Sequence, residues 1–149
     1  MWNGPLAIKG ILSAEDARRA VDVGATAVWV SNHGGRQLDG VPAAIECLPA
    51  VRAAVGGEIE IILDGGVRRG THVLKALALG ANACALGRPC LYGLAAAGEA
   101  GVSHALNILR SEFARDMALA GCAKLADIGP ERLHASAPGR VAQTPAARH

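Results

Sequence analysis

Ile59-Glu60-Ile61-Ile62-Leu63-Asp64-Gly65-Gly66-Val67-Arg68 is the stretch that decides the fold. Its first five residues are almost continuously apolar, as in a parallel strand covered on both faces. Two glycines then make a turn, and a helix is predicted from near Thr71 through Val73, Leu74, Leu77 and Ala78 to Gly80. The same alternation recurs on either side. Upstream, residues 26–30 read as a strand, followed by a glycine-rich loop and a helix over 43–55 that Gly56 and Gly57 stop. Before that, residues 6–12 read as a strand, and Ser13 caps a helix through Val23, with Asp16 in its first turn and Gly24 ending it. Downstream, residues 81–86 read as a fourth strand, followed by a short helix over 91–97 and a long one over 101–119. Strands and helices alternating at this spacing predict right-handed βαβ units and a parallel sheet in an α/β fold. The pattern alone does not separate part of a (β/α)8 barrel from an open doubly wound sheet. Both bind ligands at the carboxyl ends of their strands.

The 149 residues form one domain-sized unit, expected over 1–135, with a flexible tail over 136–149 that is rich in Pro, Ala and Arg. Half the residues are apolar and only 3% aromatic, so Ala, Val, Leu and Ile must do most of the packing. A net charge of +2, with both signs interspersed, leaves no electrostatic footprint for nucleic acid. Cys47, Cys84, Cys90 and Cys122 lie far apart without a C-x-x-C pair, which predicts free thiols rather than disulfides or a metal site. No basic-then-apolar leader is present, and no apolar run approaches about 18 residues. A cytoplasmic setting is therefore expected.

Every group with chemical promise falls at the carboxyl end of a predicted strand. The second strand runs into Ser31-Asn32-His33-Gly34-Gly35-Arg36-Gln37. There His33 can move a proton near neutral pH, and Arg36 offers a planar fork for a carboxylate. Asp64-Gly65-Gly66-Val67-Arg68-Arg69-Gly70 follows the third strand, where consecutive amides at a helix start make an anion nest and Arg68 adds charge. Gly87-Arg88-Pro89 after the fourth strand supplies another guanidinium. Lys9 sits within the first, otherwise apolar strand, where a charge is costly unless it is paired or faces a ligand. His72 and His104 read as structural or surface residues, His134 and His149 carry no role, and Tyr92 and Phe113 read as core or interface residues.

The 31–37 peptide resembles the active-site signature of the FMN-dependent 2-hydroxy acid dehydrogenases and oxidases, a family that includes L-lactate dehydrogenase, mandelate dehydrogenase and glycolate oxidase. The resemblance runs from about Trp2 to Leu133. It implies that this chain is the C-terminal half of a TIM (β/α)8 barrel, with four βα units and parallel strands. It also implies that His33 is the base and that Arg36 binds the substrate carboxylate. Lys9 would lie by the flavin N1–O2 edge and Ser31 would contact the flavin. Asp64, Gly65, Gly66, Val67 and Arg68, with Gly87 and Arg88, would hold the ribityl chain and phosphate of FMN. The implied reaction oxidises an L-2-hydroxy acid, lactate- or mandelate-like, to the 2-oxo acid. The stretch over 91–101 looks more like bacterial lactate and mandelate dehydrogenases than plant-type oxidases.

By the same resemblance, the first half-barrel is missing, with the tyrosines near the substrate and the aspartate that orients the base. Missing too is the segment that attaches some bacterial relatives to the inner membrane. The chain is expected to be a fragment with little activity alone, pairing with another copy or with a separate first half. The alternative is a non-catalytic FMN- or phosphate-binding half-barrel that assembles with another chain.

Overall fold

The computed structural model describes residues 2–134, so the tail expected over 136–149 lies outside the described residues. Four strands form one parallel sheet in the order β1-β2-β3-β4, with β1 over Ala7–Ile11, β2 over Ala27–Val30, β3 over Glu60–Leu63 and β4 over Ala83–Cys84. Helices α1 (Ala14–Asp22), α2 (Ala44–Val55), α3 (Gly70–Ala78) and α4 (Arg88–Leu119) follow the strands in turn. Ser13 caps α1 as expected, its hydroxyl accepting the Asp16 N–H. Ala17 and Ala20 give α1 a thin buried face that lies close against α2.

Because side chains alternate across a strand, each strand presents one set to the helices and another to the opposite face. Val28, Val30, Ile61 and Leu63 point toward the helices and are buried with Leu48, Val51 and Val55 of α2. Burying each such side chain contributes roughly 1.5–3 kcal/mol. Lys9, Trp29, Ile62 and Ala83 form one cross-strand row on the other face. There Ala7, Lys9, Glu60 and Ala83 are exposed, and Trp29 and Ile62 are half-buried. The expectation that β3 is covered on both faces is thus corrected. Helices cover one face, and no described layer lies over the other.

The fourth strand is also shorter than the expected 81–86. Asn82 and Ala85 donate backbone hydrogen bonds to Ile61 and Leu63, but β4 has a ladder on one edge only. After Ala85 the chain leaves the sheet for the turn that starts α4. Cys84 packs against the main core, and burial pushes its thiol up to about 11. All four cysteines are free. At pH 8 only about one part in a thousand of Cys84 is then thiolate. Iodoacetamide at that pH is expected to leave Cys84 unmodified in the folded chain and to modify it in urea, as peptide mass mapping will show.

Helix α4 is not straight. Ala97 (φ −153°) and Gly98 (φ +59°) break it, close to the predicted boundary between a short and a long helix. Gly93 and Gly101 would be about 12 Å apart along a straight helix. Here their backbones touch, and a Cβ on either would overlap the other's carbonyl. The first arm therefore folds back on the second. The second arm packs on α3 through a smaller core of Leu74, Ala78, Cys122 and Ile128, with Phe113 and Met117 against it.

Candidate functional site

Gly10 begins the construction of the site. It takes φ +98° at a bulge where β1 slips one position against β2, so Lys9 pairs with Trp29 and Ile11 with Val30. A Cβ at Gly10 would come within 2.8 Å of His33 Cε1, so the missing side chain makes room for the imidazole. Lys9 reaches past the bulge. Its Nζ lies 3.0 Å from Asp64 Oδ2, donates to Ser31 Oγ at 3.0 Å, and stands 5.4 Å from the Trp29 ring centroid. One ammonium thus ties together the ends of β1, β2 and β3. Trp29 Nε1 is buried with no hydrogen-bond partner among the described residues.

Ser31 is fully buried, and its Oγ also accepts the His33 N–H at 3.1 Å. It is not among the residues that line the cleft itself. Ser31 follows Val30, the last residue of β2, and two donors, Lys9 Nζ and the His33 N–H, occupy its oxygen. His33 adopts φ +55°, unusual for a residue with a Cβ and a recurrent form of strain at functional sites. Asn32 Oδ1 accepts the Gly34 N–H at 3.0 Å and fastens the turn that holds it.

His33, Gly34, Arg36 and Gln37 form one wall of an open cleft of about 810 Å³. Lys9, Asp64, Gly65, Gly66, Val67 and Arg68 form the floor, and Ala85, Gly87, Arg88, Pro89, Leu91 and Tyr92 form the far wall. Arg88 reaches across, its Nη2 being 3.8 Å from where a Gly34 Cβ would stand. Val67 is 5% exposed and packs in the core, so it offers the cleft mainly backbone. Ten of the eleven anticipated site residues therefore meet at one cleft, and Ser31 supports them from beneath.

Tyr92, expected in a core or interface, is 69% exposed on the cleft wall. Its place four residues after Arg88, one helical turn on, was the available signal.

The charges favour an anion. Lys9, Arg36, Arg68 and Arg88 face the cleft, and its one carboxylate, Asp64, is already paired with Lys9. Among the described residues, no ion pair engages Arg36, Arg68 or Arg88. Gly65 (φ +90°) and Gly66 (φ +82°) adopt left-handed backbone at the floor, and no atom lies within 4 Å of a Gly66 Cβ position. Glu112 of α4 secures the exit of this loop by accepting the Gly70 N–H at 2.9 Å and pairing with Arg69 at 2.6 Å. The Gly70 N–H, then the Arg69 guanidinium, hold the Glu112 carboxyl below its usual range. No group of three or more His, Cys, Asp or Glu among the described residues is placed to hold a metal.

An open glycine loop, spare guanidinia and an ammonium beside them make an anion-favouring cleft on a parallel α/β scaffold. The family model for FMN-dependent dehydrogenase matches residues 1–135, and the chain belongs to that family. L-lactate oxidase from Nostoc sp. is 56% identical over 130 residues, covering 87% of this chain and 36% of that protein. Glycolate oxidase 5 from Oryza sativa subsp. japonica is 57% identical over 124 residues (83% and 34%). Pre-mycofactocin synthase from Mycobacterium tuberculosis is 52% identical over 130 residues (87% and 33%). The crystal structure of mandelate oxidase with benzoyl-formic acid superposes with a TM-score of 0.83 at 52% identity, covering 85% of this chain and 38% of that one. This chain spans about a third of the length of the curated relatives it matches. The partial-barrel fold and FMN as the family's cofactor stand on these matches. A rice glycolate oxidase matches as well as bacterial proteins do, so the leaning of residues 91–101 toward bacterial dehydrogenases gains no support.

Proposed function

We propose that this segment carries the FMN-binding and base-bearing part of an oxidoreductase that converts an L-2-hydroxy acid to its 2-oxo acid. The observation that carries the reading is that His33 and Arg36, which no ion pair engages among the described residues, line the same cleft as the left-handed Gly65-Gly66 turn and the Arg68 and Arg88 guanidinia. The residues present fit FMN. Gly65, Gly66 and Arg68, with Gly87 and Arg88, would hold its phosphate and ribityl chain, and Lys9 would lie along the flavin edge. Bound FMN supplies the acceptor for two electrons.

Arg36 would orient the substrate by a two-pronged grip on its carboxylate. His33 would take the proton, from the hydroxyl or from the α-carbon. Lys9 and Arg36 favour either route, because both place negative charge beside them. The substrate class is a small 2-hydroxy acid, lactate- or mandelate-like, in keeping with relatives named for lactate, glycolate and mandelate. Four free thiols favour a cytoplasmic setting. No described helix is long and apolar enough to cross a membrane, and peripheral attachment of a full-length enzyme would rest on other segments.

A second reading is favoured by one observation. The inner sheet face is open, and Leu91, Leu94, Leu106 and Ile108 of α4 are exposed. A residual half-barrel that binds FMN and assembles with another copy or with a separate first half would use these surfaces without turnover. FMN fluorescence titration, anaerobic addition of lactate or mandelate with absorbance read near 450 nm, and light scattering separate the readings. The expected outcome is saturable FMN binding with little bleaching by either acid. Rapid bleaching by the 149-residue chain would overturn the expectation of low activity alone. Absence of any FMN binding at pH 8 would sink both readings.

A further inference from the structure

The anion loop is held from outside the cleft by a side chain that the chemistry above does not use. His72 occupies the third position of α3 and is half-buried. Its Nδ1 lies 3.2 Å from the Arg68 backbone nitrogen and 3.2 Å from the Gly66 carbonyl oxygen. The two contacts require opposite proton states. A bare Nδ1 accepts the Arg68 N–H and has nothing to give Gly66. A protonated Nδ1 donates to Gly66 and turns a proton toward the Arg68 N–H.

We propose that His72 is the positioning residue of the Gly65–Arg68 loop: its unprotonated Nδ1 holds the Arg68 backbone in the phosphate-binding arrangement, and protonation of the imidazole releases it. The proposal rests on the FMN reading for its ligand but not for its mechanism. An imidazole nitrogen is an acceptor when bare and a donor when protonated, so a single proton decides which of the two contacts is made. A positive charge in the first turn of α3 also opposes the helix dipole. His72 itself does not line the cleft, so its charge acts on the phosphate only through solvent and loop, where salt screens it. The lost hydrogen bond acts on the loop directly.

The charged groups of the surroundings are Arg68 and Arg69 in the loop and Lys75 one turn along α3. Glu112, Arg115 and Asp116 lie on α4, and Glu131 and Arg132 lie on the turn over Pro130–Arg132; both elements contact α3. Glu112 is committed to Arg69 and Gly70, which leaves the Arg68 N–H to His72. None of the others is hydrogen-bonded to the imidazole.

Two variants separate the acceptor from the charge. His72→Asn carries an oxygen as many bonds from the backbone as Nδ1 is, and it does not titrate. His72→Ala removes the acceptor. In NMR spectra of the full chain, the Arg68 amide proton is expected to shift between pH 5.5 and 8 with the same midpoint as the His72 ring protons. In His72→Asn that shift is expected to be absent. FMN affinity at pH 8 should fall about fivefold in His72→Ala, the scale of one neutral hydrogen bond, and stay within about twofold in His72→Asn. The phosphate of FMN also takes up a proton near pH 6, but equally for every variant. The informative quantity is therefore the ratio of affinities at pH 8 and pH 6, expected to be about fivefold larger in the wild type than in His72→Asn. An Arg68 amide indifferent to His72, or equal ratios in the two proteins, overturns the proposal. A wild-type chain that binds no FMN at pH 8 defeats the functional reading instead, and the amide titration then decides the role of His72 by itself.

Discussion

Lys9→Met is expected to weaken FMN binding about 100-fold while the chain stays folded. The ammonium bridges three strand ends, touching Ser31 Oγ and Asp64 Oδ2 at 3.0 Å each. Removing it deletes the cation assigned to the flavin edge and frees a negative Asp64 at the floor of an anion site. A hydrogen bond to a charged group is worth roughly 1.5–3 kcal/mol, and the repulsion adds to it; 100-fold corresponds to about 2.7 kcal/mol. The loss of stability should be smaller, about 1 kcal/mol, because the Lys9 side chain is 39% exposed and its pair is screened. Adding Asp64→Asn should restore the stability and leave the affinity low. Urea unfolding and flavin fluorescence titration of the single and double variants measure the two effects. Unchanged FMN affinity in Lys9→Met would remove Lys9 from the flavin site.

Gly101→Ala is expected to cost about 3 kcal/mol or more, the largest stability effect of any single methyl group added to this chain. Most overpacking costs 1–3 kcal/mol because side chains move aside. Here the added Cβ overlaps the Gly93 backbone carbonyl, and backbone cannot move aside without parting the two arms of α4. The first arm carries Arg88, Pro89, Leu91 and Tyr92 to the cleft, so FMN affinity should fall together with stability. Gly57→Ala is the matched control. Its Cβ would meet nothing within 4 Å and its φ is not positive, so its effect should lie within about 0.5 kcal/mol. With a urea slope of roughly 1–3 kcal/mol per molar, Gly101→Ala should lower the midpoint by about 1 M or more. Equal midpoints for the two variants would show that the arms of α4 separate freely.

Much of this architecture is legible in the sequence. The Ser13 cap, the strand cores and the glycine stops are local signals, and each reappears within about two residues of its expected place. So does the break in α4 at Gly98. The errors share a cause. The length of β4 depends on how many neighbours it has, and the open face of β3 depends on what lies above it. Neither is written in the strand itself. The place of Tyr92 on the cleft was not legible for a related reason: apolar neighbours do not reveal which side of a wall a residue faces.

The sequence by itself determined the succession of four parallel βα units and the loops that carry the reactive groups. Periodicity and turn chemistry act over a few residues, and strand direction then orders the loops along one edge of the sheet. Only the tertiary structure decided how those loops are tied together. The Lys9 bridge to Ser31 and Asp64 and the reach of Arg88 toward Gly34 each join separate strand ends or loops. Distances of about 3 Å between such groups follow from the packing of helices beneath the sheet, which no local pattern encodes.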